Sequence, residues 1–76
     1  MEAEINKVDL SEREFQIMNL VSIGKLNKEI ADKLNIKPDT IGKHLLHIFP
    51  KLGVQNRTEA TLKFLELTGR IIFVEI

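Results

Sequence analysis

The chain has no cysteine. That excludes disulfide staples, a zinc centre built on thiolates and a thiol nucleophile, and it fits a reducing compartment. Long apolar runs are missing too. The longest, Ile71 to Val74, is far too short to cross a bilayer, and no charged start followed by an apolar stretch marks a secretion signal. The expectation is a cytoplasmic protein that neither spans a membrane nor is exported. Only two serines occur, Ser11 and Ser22, and both fall at expected helix ends, so a serine nucleophile with its base and orienting acid has no support. The four glycines are widely separated, which excludes a glycine-rich phosphate loop. His44 and His47 are spaced i, i+3, but no third metal ligand accompanies them. An enzyme, a metal site, a cofactor and a small-molecule substrate are therefore not expected.

What is present is the composition of a small globular domain: 76 residues, of which 43% are apolar and 29% charged, enough for one core and too few for two domains. So small a domain hides only about 60% of the surface its unfolded chain exposes, and a second subunit is a natural supplement. One domain over residues 1–76 is expected, with a helical core from about 10 to 68 and an apolar tail from 70 to 76. The net charge is zero, yet its distribution is uneven. Residues 1–20 carry two basic side chains against five acidic ones, whereas residues 21–57 carry seven against three. By itself this distribution fits a solvated mixed surface as well as the footprint of a polyanionic partner.

Four helices follow from capping and periodicity. Ser11 and Glu14 form a capping box, with Leu10 and Phe15 at the staple positions, and Gly24 is placed to end this first helix. A second helix is expected from about Asn27 to Leu34, capped by Asn27 and burying Ile30, Ala31 and Leu34. Asn35, Ile36 and Lys37 make a three-residue turn, and Pro38 suits the first position of a third helix. In that helix Ile41, Leu45, Ile48 and Leu52 form one inward face, which leaves Asp39, Gly42, Lys43, Leu46, His47 and Pro50 outward. Pro50 predicts a kink or an early end near Phe49. Asn56 and Glu59 open a fourth helix, closed by Gly69, with Ala60, Phe64 and Leu67 on one apolar patch and Leu62 with Leu65 on another. That second patch is a candidate dimer contact. Ile71 to Val74 read as a short strand that docks on the domain, pairs with Ile5 to Val8, or meets a second chain.

Helix, tight turn and helix within a basic segment is the arrangement that places a recognition helix in the DNA major groove. Leu10-Ser11-Glu12-Arg13-Glu14, Gly24, Asn27-Lys28-Glu29-Ile30-Ala31, Leu34-x-Ile36, Thr40-Ile41, His44, Ile48, Lys51-Leu52-Gly53-Val54 and Asn56-Arg57-Thr58-Glu59-Ala60 together resemble the LuxR-type (GerE, NarL/FixJ) helix-turn-helix domain. The resemblance runs from about Leu10 to Leu67. It implies an all-α, four-helix domain at the C-terminus of bacterial transcription regulators, non-catalytic, whose third helix reads double-stranded DNA and whose fourth often forms a homodimer. Such regulators usually carry a sensory or phosphoacceptor domain ahead of it.

Carried over by position, Lys28 (with its neighbour Asn27) and Thr40 match family phosphate-contacting positions, and Gly42, Lys43 and Leu46 fall where the family places base or backbone contacts. From the residues themselves, Lys43 is the candidate guanine reader, His47 a second polar reader and Leu46 a partner for a thymine methyl. Lys25, Lys28, Lys43 and Arg57 supply about four phosphate contacts. The chain departs from the family pattern at Gly42, where Lys or Arg is usual, at Leu26 and Lys37, where a hydroxyl cap is usual, and at Pro50. These departures and the zero net charge leave an alternative, a protein-interaction module on the same fold that has lost DNA binding. A sigma-factor-like promoter-binding domain shares the helical pattern, but the Asn56 to Ala60 segment argues against it.

Overall fold

The computed structural model describes residues 9–70, and among them the chain forms four helices and no strand: α1 (Glu12–Ser22), α2 (Asn27–Leu34), α3 (Pro38–Leu52) and α4 (Arg57–Leu67). The strand expected at Ile71 to Val74, its pairing with Ile5 to Val8, and nearly all of the apolar tail lie outside the described residues.

Local chemistry accounts for each start. Ser11 Oγ accepts from the Glu14 N–H at 3.1 Å while Glu14 Oε1 accepts from the Ser11 N–H at 2.9 Å, so two orphan donors of α1 are satisfied reciprocally. At α4, Asn56 Oδ1 accepts from the Glu59 N–H at 2.9 Å, and Glu59 reaches one residue further back, to the Gln55 N–H at 2.9 Å. The start of α2 differs from expectation. Its cap position is Leu26, which offers no side-chain acceptor, Asn27 is the first helical residue, and the Leu26 N–H donates to the Glu29 carboxylate at 2.8 Å. Asn27 is not needed as a cap because its side chain is held elsewhere. At α3, Lys37 offers no side-chain cap and Pro38 takes the first helical position, where no N–H is required.

All four helices end in the same way, with paired 6→1 and 5→2 backbone bonds across a left-handed residue. At the turn between α2 and α3 that residue is Asn35 (φ 60°, ψ 45°); Ile36 N–H reaches Ala31 O at 3.0 Å and Asn35 N–H reaches Asp32 O at 3.3 Å.

The expectation of an early end near Phe49 is corrected: α3 runs through Pro50 to Leu52. A proline in a helix interior costs about 3 kcal/mol. Here the lost bond falls on the Leu46 carbonyl, on the exposed side of the helix, and Pro50 itself lies in the last turn. Against it stand the burial of Leu52, at 3% exposure, and capture of the Phe49 and Pro50 carbonyls by Val54 and Gly53 N–H at 3.0 and 3.1 Å. Burying one leucine contributes about 1.5–3 kcal/mol, which with two recovered hydrogen bonds offsets the proline.

The core is shared by all four helices: Ile17, Met18 and Val21 from α1, Ile30 and Ala31 from α2, Ile41, Leu45, Ile48 and Leu52 from α3, and Ala60 and Phe64 from α4. Helix α3 packs on each of the other three, and α1 also packs on α2 and α4. Phe15 meets Phe64 edge to face, with ring centroids 5.1 Å apart. The expected inward face of α3 is thus entirely buried, and the patch on α4 turns in Ala60 and Phe64 while Leu62 stays exposed and Leu65 half-buried.

Replacing Asn35 by alanine forces a Cβ into the left-handed region without asparagine's local hydrogen-bonding compensation. Asn35→Ala is expected to cost about 1 kcal/mol, lowering the thermal midpoint by about 4–8 °C. An unchanged midpoint in calorimetry would show that the turn between α2 and α3 is not held as described.

Candidate nucleic-acid interface

Because Ile41, Leu45, Ile48 and Leu52 are buried at i, i+4, i+7 and i+11, the other side of α3 must face away from the protein. Lys43, Leu46 and His47 are exposed there, and Gly42 is half-buried. Gly42 with Leu46 and Lys43 with His47 are i, i+4 pairs, so the four positions form one strip about two turns long. Leu46 is 68% exposed, the largest value among the exposed large apolar side chains of the described residues. Thr40, half-buried in the first turn, donates its N–H to Lys37 O at 3.0 Å. His44 is half-buried and His47 exposed, and among the described residues no three His, Cys, Asp or Glu side chains gather as a metal site.

Two polar links hold α3 and α2 in place. The first joins the start of α1 to the end of α3: Lys51 Nζ lies 2.8 Å from Glu14 Oε1. Glu14 is buried, at 6% exposure. Burial raises its carboxyl pKa, but the Lys51 ammonium and the Ser11 N–H and hydroxyl outweigh that and hold it below the usual glutamate value. The second link is Arg57, the first residue of α4. Its guanidinium donates to Asn27 Oδ1 and to the Lys25 carbonyl, both at 2.6 Å, and so ties α4 to the α1–α2 loop and the first turn of α2.

These links change the reading of the basic segment. Lys51 pairs its charge with Glu14, and the Arg57 guanidinium keeps its charge but is held by two neutral acceptors, Asn27 Oδ1 and the Lys25 carbonyl, which leaves Lys25, Lys28 and Lys43 as exposed cations with no such tie among the residues singled out. Sequence reasoning missed both links because they span 37 and 30 residues, beyond any local spacing rule. It also left two exposed apolar side chains of the α1–α2 loop unassigned, Ile23 at 62% and Leu26 at 65%. Leu62 and Leu65, the proposed dimer contact, share one side of α4 at i, i+3, away from the α3 strip in the sequence.

An exposed helix following a tight turn, its inner face buried and its neighbour helix anchored by an arginine, defines a helix-turn-helix domain. A family model described as bacterial regulatory proteins, luxR family, matches residues 8–64, and the chain belongs to that family. It is similar to the transcriptional regulatory protein LnrK of Bacillus subtilis, 42% identical over 55 residues, covering 72% of this chain and 25% of the relative. The nitrate/nitrite response regulator protein NarP of Escherichia coli is 38% identical over 60 residues, covering 79% and 28%. The CsgBAC operon transcriptional regulatory protein of Escherichia coli is 45% identical over 51 residues, covering 67% and 24%. The chain thus spans about a quarter of the length of the curated relatives it matches. No solved structure matches it. Among the described residues no helix is long and apolar enough to cross a membrane.

The depressed carboxyl of Glu14 has a pH signature. A group held below its unfolded value, about 4.3 for glutamate, contributes stability that is full above that value and lost as pH falls through the lower folded value. Glu14→Gln is expected to be less stable than the parent by about 1 kcal/mol at pH 7, with the gap closing below about pH 4. A gap that stays constant from neutral to acid pH in denaturant titrations would remove the ionised Glu14–Lys51 pair from the account.

Proposed function

We propose that the chain is the DNA-binding part of a bacterial transcription regulator and binds double-stranded DNA sequence-specifically, with α3 from about 38 to 49 lying in the major groove. One observation carries the reading. Across three turns α3 turns four apolar side chains into the core and offers an uncovered strip of Gly42, Lys43, Leu46 and His47 on the other side. A major groove about 12 Å wide accepts one such helix. Membership of a family whose domains bind DNA supports the same assignment.

In this reading Lys28 and Thr40, at the starts of α2 and α3, contact phosphates and set the docking angle, assisted by Lys25. Lys43 reads a base edge and His47 is a second polar reader. Asn27 acts by its link to Arg57, holding the first turn of α2 where Lys28 can reach a phosphate. The regulator works as a homodimer on a two-fold-related site, joined through Leu62 and Leu65 of α4 or through the apolar tail, and it acts in the cytoplasm. The second reading, a protein-interaction module, draws on the scarcity of cations on the α3 strip, where Lys43 is the one lysine or arginine.

With Lys43 on a base edge and the Arg57 guanidinium tied within the fold, Lys25 and Lys28 are the cations assigned to phosphates, and binding should fall with rising salt with a log–log slope of about −1.8 per monomer. Lys28→Ala should lower that slope by about 0.9 and weaken random and selected duplexes alike, whereas Lys43→Ala should cost about 1–3 kcal/mol on selected sites and relax sequence preference. Equal losses for both variants on both kinds of duplex would take Lys43 out of the reading role, and no binding to any duplex at low salt would favour the interaction module.

A further inference from the structure

Three of the four glycines have positive φ (Gly24 90°, Gly53 72°, Gly69 75°) and serve helix ends; Gly42 does not. It lies inside α3, and a Cβ added there would meet nothing within 4 Å. The fold therefore does not require glycine at this position, although glycine in a helix interior is markedly less favourable than alanine. One turn further along the same strip stands Leu46, 68% exposed in the isolated chain. A bare backbone beside an uncovered leucine is a poor arrangement for water and a good one for a surface that must come close and is itself apolar. In the major groove the apolar element is the 5-methyl group of thymine.

We propose that Gly42 and Leu46 form one apolar reading step: the missing side chain at Gly42 lets the helix approach the base edges, and Leu46 then packs on a thymine methyl. The step rests on the assignment of α3 to the major groove and adds the class of base that the strip selects. Lys43, exposed on the same strip, and Lys28, exposed in the first turn of α2, give this surface cations that suit a polyanion better than an uncharged apolar partner. At this step the chain reads thymine with a leucine, and its preferred sites should be correspondingly rich in A·T pairs there.

The test uses the 76-residue chain and a duplex selected from a random pool. Each thymine of that duplex is replaced in turn by deoxyuridine, which lacks only the methyl group, and affinity is read by fluorescence anisotropy. Loss of one buried methyl should weaken binding about fourfold at one thymine of each half-site and leave the others unaffected. Leu46→Ala, at an exposed position that does not endanger the fold, should bind thymine and deoxyuridine duplexes equally. Gly42→Ala should raise the thermal midpoint and yet weaken the selected duplex at least fivefold, two changes of opposite sign that a merely structural glycine would not produce. Equal affinity for every deoxyuridine duplex, or a Gly42→Ala variant that binds as tightly as the parent, overturns the proposal while leaving α3 in the groove. Failure to bind any duplex at low salt overturns the groove assignment itself and this step with it.

Discussion

The burial of one face of α3 is the constraint on which the rest of the structure depends. Ile41, Leu45, Ile48 and Leu52 are each at most 6% exposed, and together they fix both the rotation of the helix about its axis and its position on α1, α2 and α4. A rotation of one residue, about 100°, would carry the whole apolar row out of the core. With about 1.5–3 kcal/mol at stake for each large side chain, no interaction on the outer strip competes with that. The outward display of Gly42, Lys43, Leu46 and His47 is thus a by-product of core packing, and it needs no interaction of its own to hold it.

Packing fixes rotation, while the polar links fix the ends. Glu14 and Lys51 join the first turn of α1 to the last turn of α3, close to Pro50. Arg57 plays the matching part at the other side, holding Asn27 and the Lys25 carbonyl. A guanidinium suits this role because its planar fork bonds two acceptors at once, which a lysine could not do in the same geometry. Arg70 adds a third tie, reaching Asn19 Oδ1 at 2.7 Å and lying 5.8 Å from the centre of the Phe64 ring. In a domain this small, such links between helix ends restrict fraying where the core is thinnest.

What could be read from the residues, and what could not, divides by the range of the interaction. The capping box at Ser11, the left-handed Asn35 and the inward row of α3 are consequences of spacings within a few residues, and the structure carries them as expected. Asn27 is a good capping residue in isolation and points to a start one residue later, but its side chain is claimed by Arg57, 30 residues away, and the cap position falls on Leu26. By local rule Pro50 carries the penalty of a helix interior, but it lies in the last turn, where that cost meets a tertiary gain from Leu52. A charge count overstates the free cations for the same reason, since Lys51 is paired with Glu14 and the Arg57 side chain is held by Asn27 and the Lys25 carbonyl. Where no local rule was available, in the exposed Ile23 and Leu26 of the α1–α2 loop, the sequence carried no signal.

The central claim, that the outer strip of α3 is the surface that meets DNA, is tested most directly by following backbone amide NMR shifts of the chain as a duplex is added. The account predicts that the largest changes fall on Lys28 and on Thr40 through His47, with Ala60 through Leu67 little affected. Changes confined to α4 around Leu62 and Leu65, with α3 unmoved, would contradict it.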